Sequence, residues 1–313
     1  MPKPFPNASE IEFKDKFAER YLKLTDFDEF KKYSLSFLRK SIRVNTLKIS
    51  VNALTKRLEK DWKLEKIPWC KEGFWIEGAR RDLGNLPEHV LGYIYVQEAA
   101  SMIPPVVLSP KPGDVVLDMA AAPGSKTTQM AQYMKNKGIL IANDISHERL
   151  ASLGVNLQRC GAANSVVTMM LGYKFRYSSI KFDKILLDAP CSGTGSIRKS
   201  VKTLYIWNPD MVKRLAAQQK QLIKTAFSLL KENGTMVYST CTLEPDENEG
   251  VVDFLLNEFE NAKVEKIDLD IKRSPAVLEF EGQSYREEIK DCLRIWPQDN
   301  DTEGFFVAKI KKV

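Results

Sequence analysis

The chain has 313 residues, of which 43% are apolar, and it carries a formal net charge of +6 with five cysteines and two histidines. This length and composition predict a soluble globular protein of about two domains and exclude a disulfide-stapled chain. No apolar run approaches the roughly 20 residues that span a bilayer, and the opening residues lack the apolar core of a secretory signal. We therefore expect a cytoplasmic protein with no membrane partner.

The cysteines and histidines restrict the chemistry. Five cysteines without paired C-x-x-C spacing are typical of reduced thiols and predict no metal site. With only His89 and His147 present, acid–base work falls to carboxylates and thiols.

The positive charge is concentrated at the front of the chain. Residues 1–113 hold 20 lysines and arginines against 15 acidic residues, whereas residues 114–313 hold 27 against 26. The excess includes clusters such as Arg39-Lys40 and Arg80-Arg81. Such clusters suit an RNA-binding face and a solvated lysine-rich surface equally well.

The front of the chain predicts a small α/β module over residues 1–110. Apolar residues at helical spacing between Ser9 and Phe37 predict one or two helices. A strand over 42–47, a helix over 51–60 and a strand over 73–76 follow. The prolines of 104–105 and 110–113 mark the end of the module.

Beyond that point, apolar strands alternate with amphipathic helices. This alternation predicts a mostly parallel sheet that is covered on both faces. Residues 292–296 and 305–310 predict an antiparallel hairpin at the sheet edge. Ligands of such sheets bind at the carboxyl ends of the strands, which is where Asp118, Asp144, Asp188 and Cys241 fall.

The loop Asp118-Met-Ala-Ala-Ala-Pro-Gly-Ser-Lys-Thr127 leads from the first of these strands into a helix. Its small residues let the backbone approach a ligand, and the N–H groups at the helix start favour a carboxylate or phosphate. The loop matches neither G-x-G-x-x-G nor the phosphate-loop pattern, which disfavours nicotinamide and nucleoside triphosphates. Asp144, after the next strand, is predicted to bind ribose hydroxyls, with a helix cap as the alternative.

Two cysteines follow later strand-like runs: Cys191 in Asp188-Ala-Pro-Cys-Ser-Gly-Thr-Gly195 and Cys241 in Ser239-Thr-Cys-Thr242. A thiolate beside a cofactor site can attack an electron-poor ring carbon, such as C6 of a pyrimidine, and later leave. This chemistry alone leaves open which cysteine attacks, and buried structural thiols remain the alternative for each. The other three cysteines, 70, 160 and 292, are predicted to be packing residues.

These motifs, with Arg43-Val-Asn-Thr46, Tyr95-Val-Gln-Glu-Ala-Ala-Ser-Met102 and Asp301-Thr-Glu-Gly-Phe-Phe306, resemble the NOP/Sun family of RNA cytosine-C5 methyltransferases. The likeness runs from about residue 40 to residue 310. It implies an α/β Rossmann-like methyltransferase domain over 111–313, with a mostly parallel seven-stranded sheet, preceded by a small α/β RNA-binding domain over 1–110. It also implies S-adenosyl-L-methionine as cofactor and a cytosine in RNA as target.

The resemblance implies roles for individual residues. Cys241 would be the nucleophile, Cys191 would assist release, and Asp188 would stabilise charge on the ring. The family's acidic residue near the end of the third strand is missing, since this stretch reads Thr168-Met-Met-Leu-Gly-Tyr173, so backbone or apolar contacts are expected around adenine. The cofactor contacts would come from Ala120, Ala121, Ala122, Pro123, Gly124, Ser125, Lys126, Asp144, Arg149 and Asp188.

RNA contacts are predicted at two places. The family-like element near residue 43 and the basic stretch after the Cys191 loop supply Arg43, Asn45, Arg198, Lys199 and Lys202. The aromatic residues Trp69, Phe74 and Trp75 are more typical of a core than of base stacking. Transfer RNA is the preferred substrate, and ribosomal RNA and a non-catalytic RNA-binding assembly factor are the alternatives.

Overall fold

The computed structural model of the protein describes residues 2–78 and 82–313. The predicted basic pair Arg80-Arg81 lies outside the described residues. No helix within the described ranges is long and apolar enough to cross a membrane.

Two helices open the chain, as predicted. A 3-10 turn over Ala8–Glu10 precedes helix α1 (Asp15–Tyr21) and helix α2 (Phe27–Ser34). Helix α2 begins at Asp26, whose side chain accepts hydrogen bonds from two backbone N–H groups of the first turn.

The opening helices pack against the carboxyl-terminal half of the chain. The ring of Phe17 meets Trp207 edge-on at 5.0 Å, and the ring of Phe30 meets Trp296 at 5.7 Å. Both tryptophans belong to the same buried cluster as the apolar faces of α1 and α2. The helical start therefore covers the larger domain.

The next segment forms a four-stranded antiparallel sheet in the order β2-β3-β1-β4. Its apolar core includes Ile42, Leu54 and Phe74. Phe74, Trp69 and Trp75 are all buried, which confirms their prediction as core residues. The elements of this module are β1 (Ser41–Val44), α3 (Val51–Leu58), β2 (Lys63–Lys66), β3 (Gly73–Glu77), α4 (Pro87–Val90), β4 (Ile94–Val96) and the connecting helix α5 (Ile103–Leu108).

The larger sheet has the order β10-β14-β9-β8-β5-β6-β7, with β13 paired to β14. A short two-stranded ribbon, β11 with β12, lies apart from it. The elements are β5 (Val115–Asp118), α6 (Ser125–Tyr133), β6 (Ile139–Asp144), α7 (His147–Cys160), β7 (Ser165–Met169), β8 (Phe182–Asp188), α8 (Lys202–Ile206), α9 (Pro209–Ser228), β9 (Leu230–Thr240), α10 (Glu249–Glu258), β10 (Ala262–Glu265), β11 (Glu279–Phe280), β12 (Gln283–Ser284), β13 (Leu293–Ile295), α11 (Pro297–Asn300) and β14 (Phe305–Lys312).

The α/β fold with a mostly parallel sheet is confirmed. Strands β5 to β9 are all parallel, β14 pairs antiparallel with β9, and β10 pairs antiparallel with β14. With β13 the sheet has eight strands rather than seven.

The carboxyl-terminal hairpin differs from its prediction in one respect. Strands β13 and β14 pair antiparallel, as expected. The predicted edge position is wrong, because β14 lies between β9 and β10. Its first residues, Phe305-Phe-Val-Ala308, are continuously apolar and buried, as in a strand covered on both faces.

The chain order of the parallel strands reverses between β5 and β8. Strand β5 has β6 on one side and β8 on the other. The carboxyl ends of two strands that diverge in this way leave a crevice, which is the usual ligand site of such sheets. Asp118 ends β5 and Asp188 ends β8, so both stand at this crevice.

The small module and the larger sheet share one apolar core. Trp69, Trp75 and Met102 belong to the same buried cluster as Leu140 and Leu153. The domain boundary near residue 110 stays a prediction, because this core continues across it.

Candidate active site

The loop after β5 is folded back by its own polar residues. Ala121 donates its N–H to the carbonyl of Asn143 at 2.7 Å, and the Thr127 hydroxyl donates to the Asp118 carboxylate at 2.7 Å. Gly124, at φ +104°, precedes the first residue of α6 and packs so closely on Leu153 that an added Cβ would lie 2.8 Å from it. Only glycine adopts this backbone comfortably, and it aims the N–H groups of the helix start at the crevice.

Asp144 joins the end of β6 to this loop. Its buried carboxylate accepts hydrogen bonds from the N–H groups of Ala122 and Ser146, both at 3.2 Å. Arg149 lies 3.3 Å from the same carboxylate and donates to the Ala122 carbonyl at 2.5 Å. With a hydrogen bond from Arg149 at 3.4 Å, three of the roughly four acceptor sites of the carboxylate are used, so Asp144 keeps capacity for one further hydroxyl donor.

A cavity of about 230 Å³ opens beside Asp144. Asp144 and Arg149 line it with charged groups, Gln218 and Gln221 line it with amides, and the remaining walls are largely apolar side chains, namely Met119, Ile145, Leu171, Leu187 and Leu222. A carboxylate at the end of an apolar slot suits a nucleoside, with the sugar hydroxyls at the carboxylate and the base between the walls. The slot therefore fits the adenosine part of S-adenosyl-L-methionine, and its apolar walls agree with the missing acidic residue.

Lys126 reaches across the crevice to the end of β8. Its ammonium group donates to Asp188 at 2.8 Å and to the Ser101 hydroxyl at 3.0 Å, while the Ser239 hydroxyl donates to the other Asp188 oxygen at 2.7 Å. Burial opposes the charge on Lys126, but the charge and hydrogen bond of Asp188 outweigh it and raise the pKa of Lys126. Lys126 is therefore a fixed cation beside Asp188.

The two thiols face each other across the same crevice. The Sγ atoms of Cys191 and Cys241 lie 3.3 Å apart, and both residues are partly exposed. The hydrogen bond to Cys241, together with burial, raises the pKa of Cys191 well above its ordinary value. Cys191 therefore holds its proton at neutral pH. The charge of Cys241 also contributes to the raised pKa of Lys126.

Hydroxyl groups lock the two cysteine loops together. Thr242, next to Cys241, bonds through its hydroxyl to Ser192 at 2.7 Å and to Thr194 at 3.0 Å. The N–H of Gly195 donates to the Cys241 carbonyl at 2.9 Å. These contacts fix the distance between the sulfurs.

The Cys191 loop is also held from behind. The Glu247 carboxylate accepts from the Ser192 N–H at 3.0 Å and from the Gln219 amide at 2.8 Å. Gln219 also donates to the Pro190 carbonyl at 2.8 Å. Burial raises the pKa of Glu247 to about 7.

The sequence missed several of these positioning residues. Ser101 and Ser239 lie within motifs that carry the family resemblance. Their position in these motifs is the signal that could have identified them. Gln219 sits in the middle of α9, and the sequence pattern gives no sign that it reaches the Cys191 loop.

Three predicted RNA contacts are wrong. Arg43 is fully buried and donates to the Ser125 carbonyl at 3.1 Å and the Thr128 hydroxyl at 2.9 Å. Asn45 is buried and donates to two backbone carbonyls at 2.8 Å. Arg198 is buried and pairs with Asp301 at 2.7 Å. Their polar groups are used inside the protein, so they offer RNA no surface.

The two lysines of that prediction remain available. Lys199 and Lys202 are exposed, and the side chain of Lys199 keeps 68% of its surface. Their contact with RNA stays a prediction. Among the described residues, no group of three or more histidine, cysteine and acidic side chains is arranged to hold a metal ion.

Comparison with known proteins assigns the site to a family. Residues 105–311 match the model of the 16S rRNA methyltransferase RsmB/F, and residues 12–99 match that of the N-terminal domain of 16S rRNA methyltransferase RsmF. The chain belongs to the RsmB/F family of RNA methyltransferases. Members of this family use S-adenosyl-L-methionine, so the protein is a methyltransferase with this cofactor.

Individual relatives are similar over most of the chain. A tRNA (cytosine(49)-C(5))-methyltransferase of Pyrococcus abyssi is 51% identical over 95% of this chain and 96% of its own length. A ribosomal RNA small subunit methyltransferase F of Shewanella oneidensis is 44% identical over 91% of this chain, which spans only 60% of that protein.

Solved structures share the fold. A methyltransferase homologue from Pyrococcus horikoshii has a TM-score of 0.88 at 38% identity, covering 99% of this chain and all of its own. NSun6 from the same organism, solved with the S-adenosyl-L-methionine analogue SFG, has a TM-score of 0.85 at 28% identity, with 96% and 98% covered.

Proposed function

We propose that the protein methylates C5 of a cytosine in transfer RNA through a covalent bond between Cys241 and C6 of the base. The observation that carries the proposal is the pair of sulfurs, 3.3 Å apart, beside the Lys126–Asp188 ion pair. The crevice thus offers two thiols and a fixed charge pair at the carboxyl ends of β8 and β9.

A covalent bond to the enzyme overcomes the low reactivity of cytosine C5. C5 of cytosine is too weak a nucleophile to accept a methyl group directly. When the Cys241 thiolate bonds to C6, the C5–C6 double-bond electrons make C5 enamine-like, and N3 becomes more basic and takes up a proton. Asp188 stands where it can share that proton, with Lys126 balancing its charge.

Bound in the slot, S-adenosyl-L-methionine supplies an electrophilic methyl group. The residues that would hold it are Asp144 and Arg149 at the sugar, the apolar walls at the base and the loop from Ala120 to Ser125 at the amino-acid end. The chain's own task afterwards is release. The C5 proton passes to water, its bonding electrons form the C5–C6 double bond while the bond from C6 to the Cys241 sulfur breaks, the sulfur departs as thiolate, and N3 returns its proton to Asp188.

The hydrogen bond between the thiols supports different roles for them. Cys191 holds a proton and stands next to Cys241, so it can assist release by donating a hydrogen bond to the departing Cys241 thiolate. Cys241 stands in the Ser239-Thr-Cys-Thr242 motif that by resemblance carries the nucleophile, and its charge contributes to the raised pKa of Lys126. A denaturing-gel assay of the covalent protein–RNA adduct, with Cys191→Ala and Cys241→Ala compared, distinguishes this assignment from the reverse one.

Two observations support RNA and, within RNA, transfer RNA. A target base must leave its stack to reach the sulfurs, and Lys199 and Lys202, which follow the Cys191 loop, are exposed and could contact the flanking phosphates. The Pyrococcus abyssi tRNA methyltransferase is 51% identical to this chain, compared with 44% for the ribosomal RNA methyltransferase of Shewanella oneidensis.

The test is methylation with labelled cofactor of separate transfer RNA and ribosomal RNA pools, followed by mapping of the modified base. We expect label in transfer RNA as 5-methylcytosine. Label confined to ribosomal RNA would overturn the substrate class, and label on another base or atom would overturn the reaction. A Cys292→Ala variant, which alters a buried thiol elsewhere, is the matched control and should behave like wild type.

A further inference from the structure

A second cleft lies where the small module meets the larger domain. This junction cleft has a volume of about 360 Å³, and its lining includes Leu38, Arg39, Lys40, Val96, Glu98 and Lys199. Residues 38–98 belong to the module side and Lys199 to the Cys191 side. The cleft therefore opens between the two parts of the protein.

The junction cleft is connected to the reacting groups from both sides. Ser101 donates its N–H to Glu98 at 3.0 Å and accepts a hydrogen bond from Lys126, which in turn binds Asp188. On the other side, the Lys199 N–H donates to the Ser196 carbonyl at 2.9 Å. The Ser196 hydroxyl lies 3.9 Å from the Cys241 sulfur. A strand that presents a base to Cys241 would reach this cleft with its next nucleotide.

The walls carry cations that suit a phosphate. Lys199 lies 3.7 Å from Glu303, too far for a hydrogen bond, and its side chain is mostly exposed, so its ammonium group can take a phosphate partner at little cost. Arg39 is held in place by Glu65 at 2.6 Å and stacks over the Trp75 ring at 4.1 Å.

The cleft is lined by one carboxyl group, that of Glu98, which suits the edge of a base. Behind it, the N–H of the buried Glu303 donates to Glu98 at 3.2 Å. Burial and the charge of Glu303 raise the pKa of Glu98 to about 8. At neutral pH Glu98 therefore holds a proton, and its hydroxyl can donate a hydrogen bond to an acceptor on a nucleobase edge. Val96, exposed at 40%, offers an apolar surface for its face.

We propose that the junction cleft binds the nucleotide next to the target cytosine in single-stranded RNA, with Lys199 at its phosphate and Glu98 at the hydrogen-bonding edge of its base. This inference rests on the proposed function and deepens it, because it makes Glu98 a specificity residue of the same RNA site. Lys199 is then a positioning residue that acts on every sequence alike.

The test uses unmodified transcripts of the transfer RNA that the protein methylates. Across the set of transcripts, each of the four nucleotides in turn occupies the position before or after the target cytosine. For Glu98→Gln we expect the ratio of kcat/KM between the best and worst flanking nucleotide to change about tenfold, as for one lost base-edge contact. For Lys199→Gln we expect the affinity for all transcripts to fall by a similar factor. The slope of log affinity against log salt concentration should be smaller by about 1. The exposed-residue variants Glu260→Gln and Lys290→Gln are matched controls and should change neither quantity.

Unchanged flanking ratios in Glu98→Gln, with cofactor affinity intact, would overturn the inference while leaving cytosine methylation standing. Failure to methylate any transcript would instead overturn the proposed function. A measurement on the wild type guards against misfolded variants: a photoreactive 4-thiouridine next to the target should crosslink to residues 38–41, 96–98 or 199. Crosslinks confined to other surfaces would also overturn the inference, and would leave the cleft to a partner such as an acidic protein segment.

Discussion

At the scale of single residues, Lys126 departs most from its sequence interpretation. Its place in the loop after β5 predicted a contact with the amino-acid end of the cofactor. The structure turns its ammonium group to Asp188 at 2.8 Å, on the side of the thiols. A buried cation there stabilises both the Asp188 carboxylate and a thiolate on Cys241.

Replacing Lys126 by methionine separates these two roles. Because the variant keeps the length of the side chain but loses its charge, we expect kcat to fall about 100-fold, as when one preorganised charge is removed from an active site. Cofactor affinity, measured by calorimetry, should stay within about threefold. Lys309→Met, which removes another partly buried lysine paired with Glu265, is the control. A variant with normal kcat and strongly weakened cofactor binding would contradict the assignment.

The residues that converge on the crevice could be predicted because of strand geometry. Asp118, Asp188 and Cys241 follow strands that were evident from their apolar runs, and the carboxyl ends of parallel strands meet at one edge. Arg43 and Arg198 could not be placed in this way. Their partners are mostly backbone carbonyls and hydroxyls far along the chain, and a motif does not reveal such partners.

At the scale of elements, strand β1 and helix α6 are joined by the Arg43 side chain. Its two hydrogen bonds end on Ser125 and Thr128, in the first turn of α6. Burial lowers the pKa of Arg43. The small module therefore supports the start of the helix that carries the cofactor loop.

Arg43→Leu tests this correction. Removing the hydrogen bonds releases the first turn of α6, so we expect cofactor affinity to fall about tenfold, from roughly 1.5 kcal/mol of lost support. The salt slope of RNA binding should stay that of wild type, because Arg43 contacts no phosphate. A slope smaller by about 1 with unchanged cofactor affinity would restore the original RNA contact.

The strands could be predicted from the sequence, but the order of the strands in the sheet could not. Alternating apolar strands and amphipathic helices fixed the parallel part of the sheet. The position of β14 between β9 and β10 depends on pairing with strands that are distant in the sequence. Within residues 305–310, only the continuous apolar character indicates a strand that is covered on both sides.

At the scale of the whole molecule, buried carboxyl groups make stability depend on pH. Burial is the main cause that raises the pKa of Glu98 to about 8 and those of Asp118 and Glu247 to about 7. The folded protein thus holds protons that the unfolded chain has released above about pH 4.5. Stability from these groups is complete below that pH and is lost as the pH rises through 7 and 8.

We therefore expect the Tm to fall between pH 5 and pH 8. Glu98→Gln should flatten this decline, because a neutral amide no longer carries the charge that the folded state disfavours. Glu260→Gln, at an exposed site, should leave the decline unchanged. Thermal unfolding across this range is the measurement, and a Tm that rises steadily to pH 8 in wild type would contradict the sign.

The most direct measurement of the central claim is the covalent protein–RNA adduct on a denaturing gel, made with transfer RNA and cofactor. If Cys241 attacks C6 and Cys191 assists release, Cys191→Ala should accumulate an adduct, while Cys241→Ala and the double variant should form none. Cys292→Ala should behave like wild type. An adduct that persists in Cys241→Ala and disappears in Cys191→Ala would contradict the account.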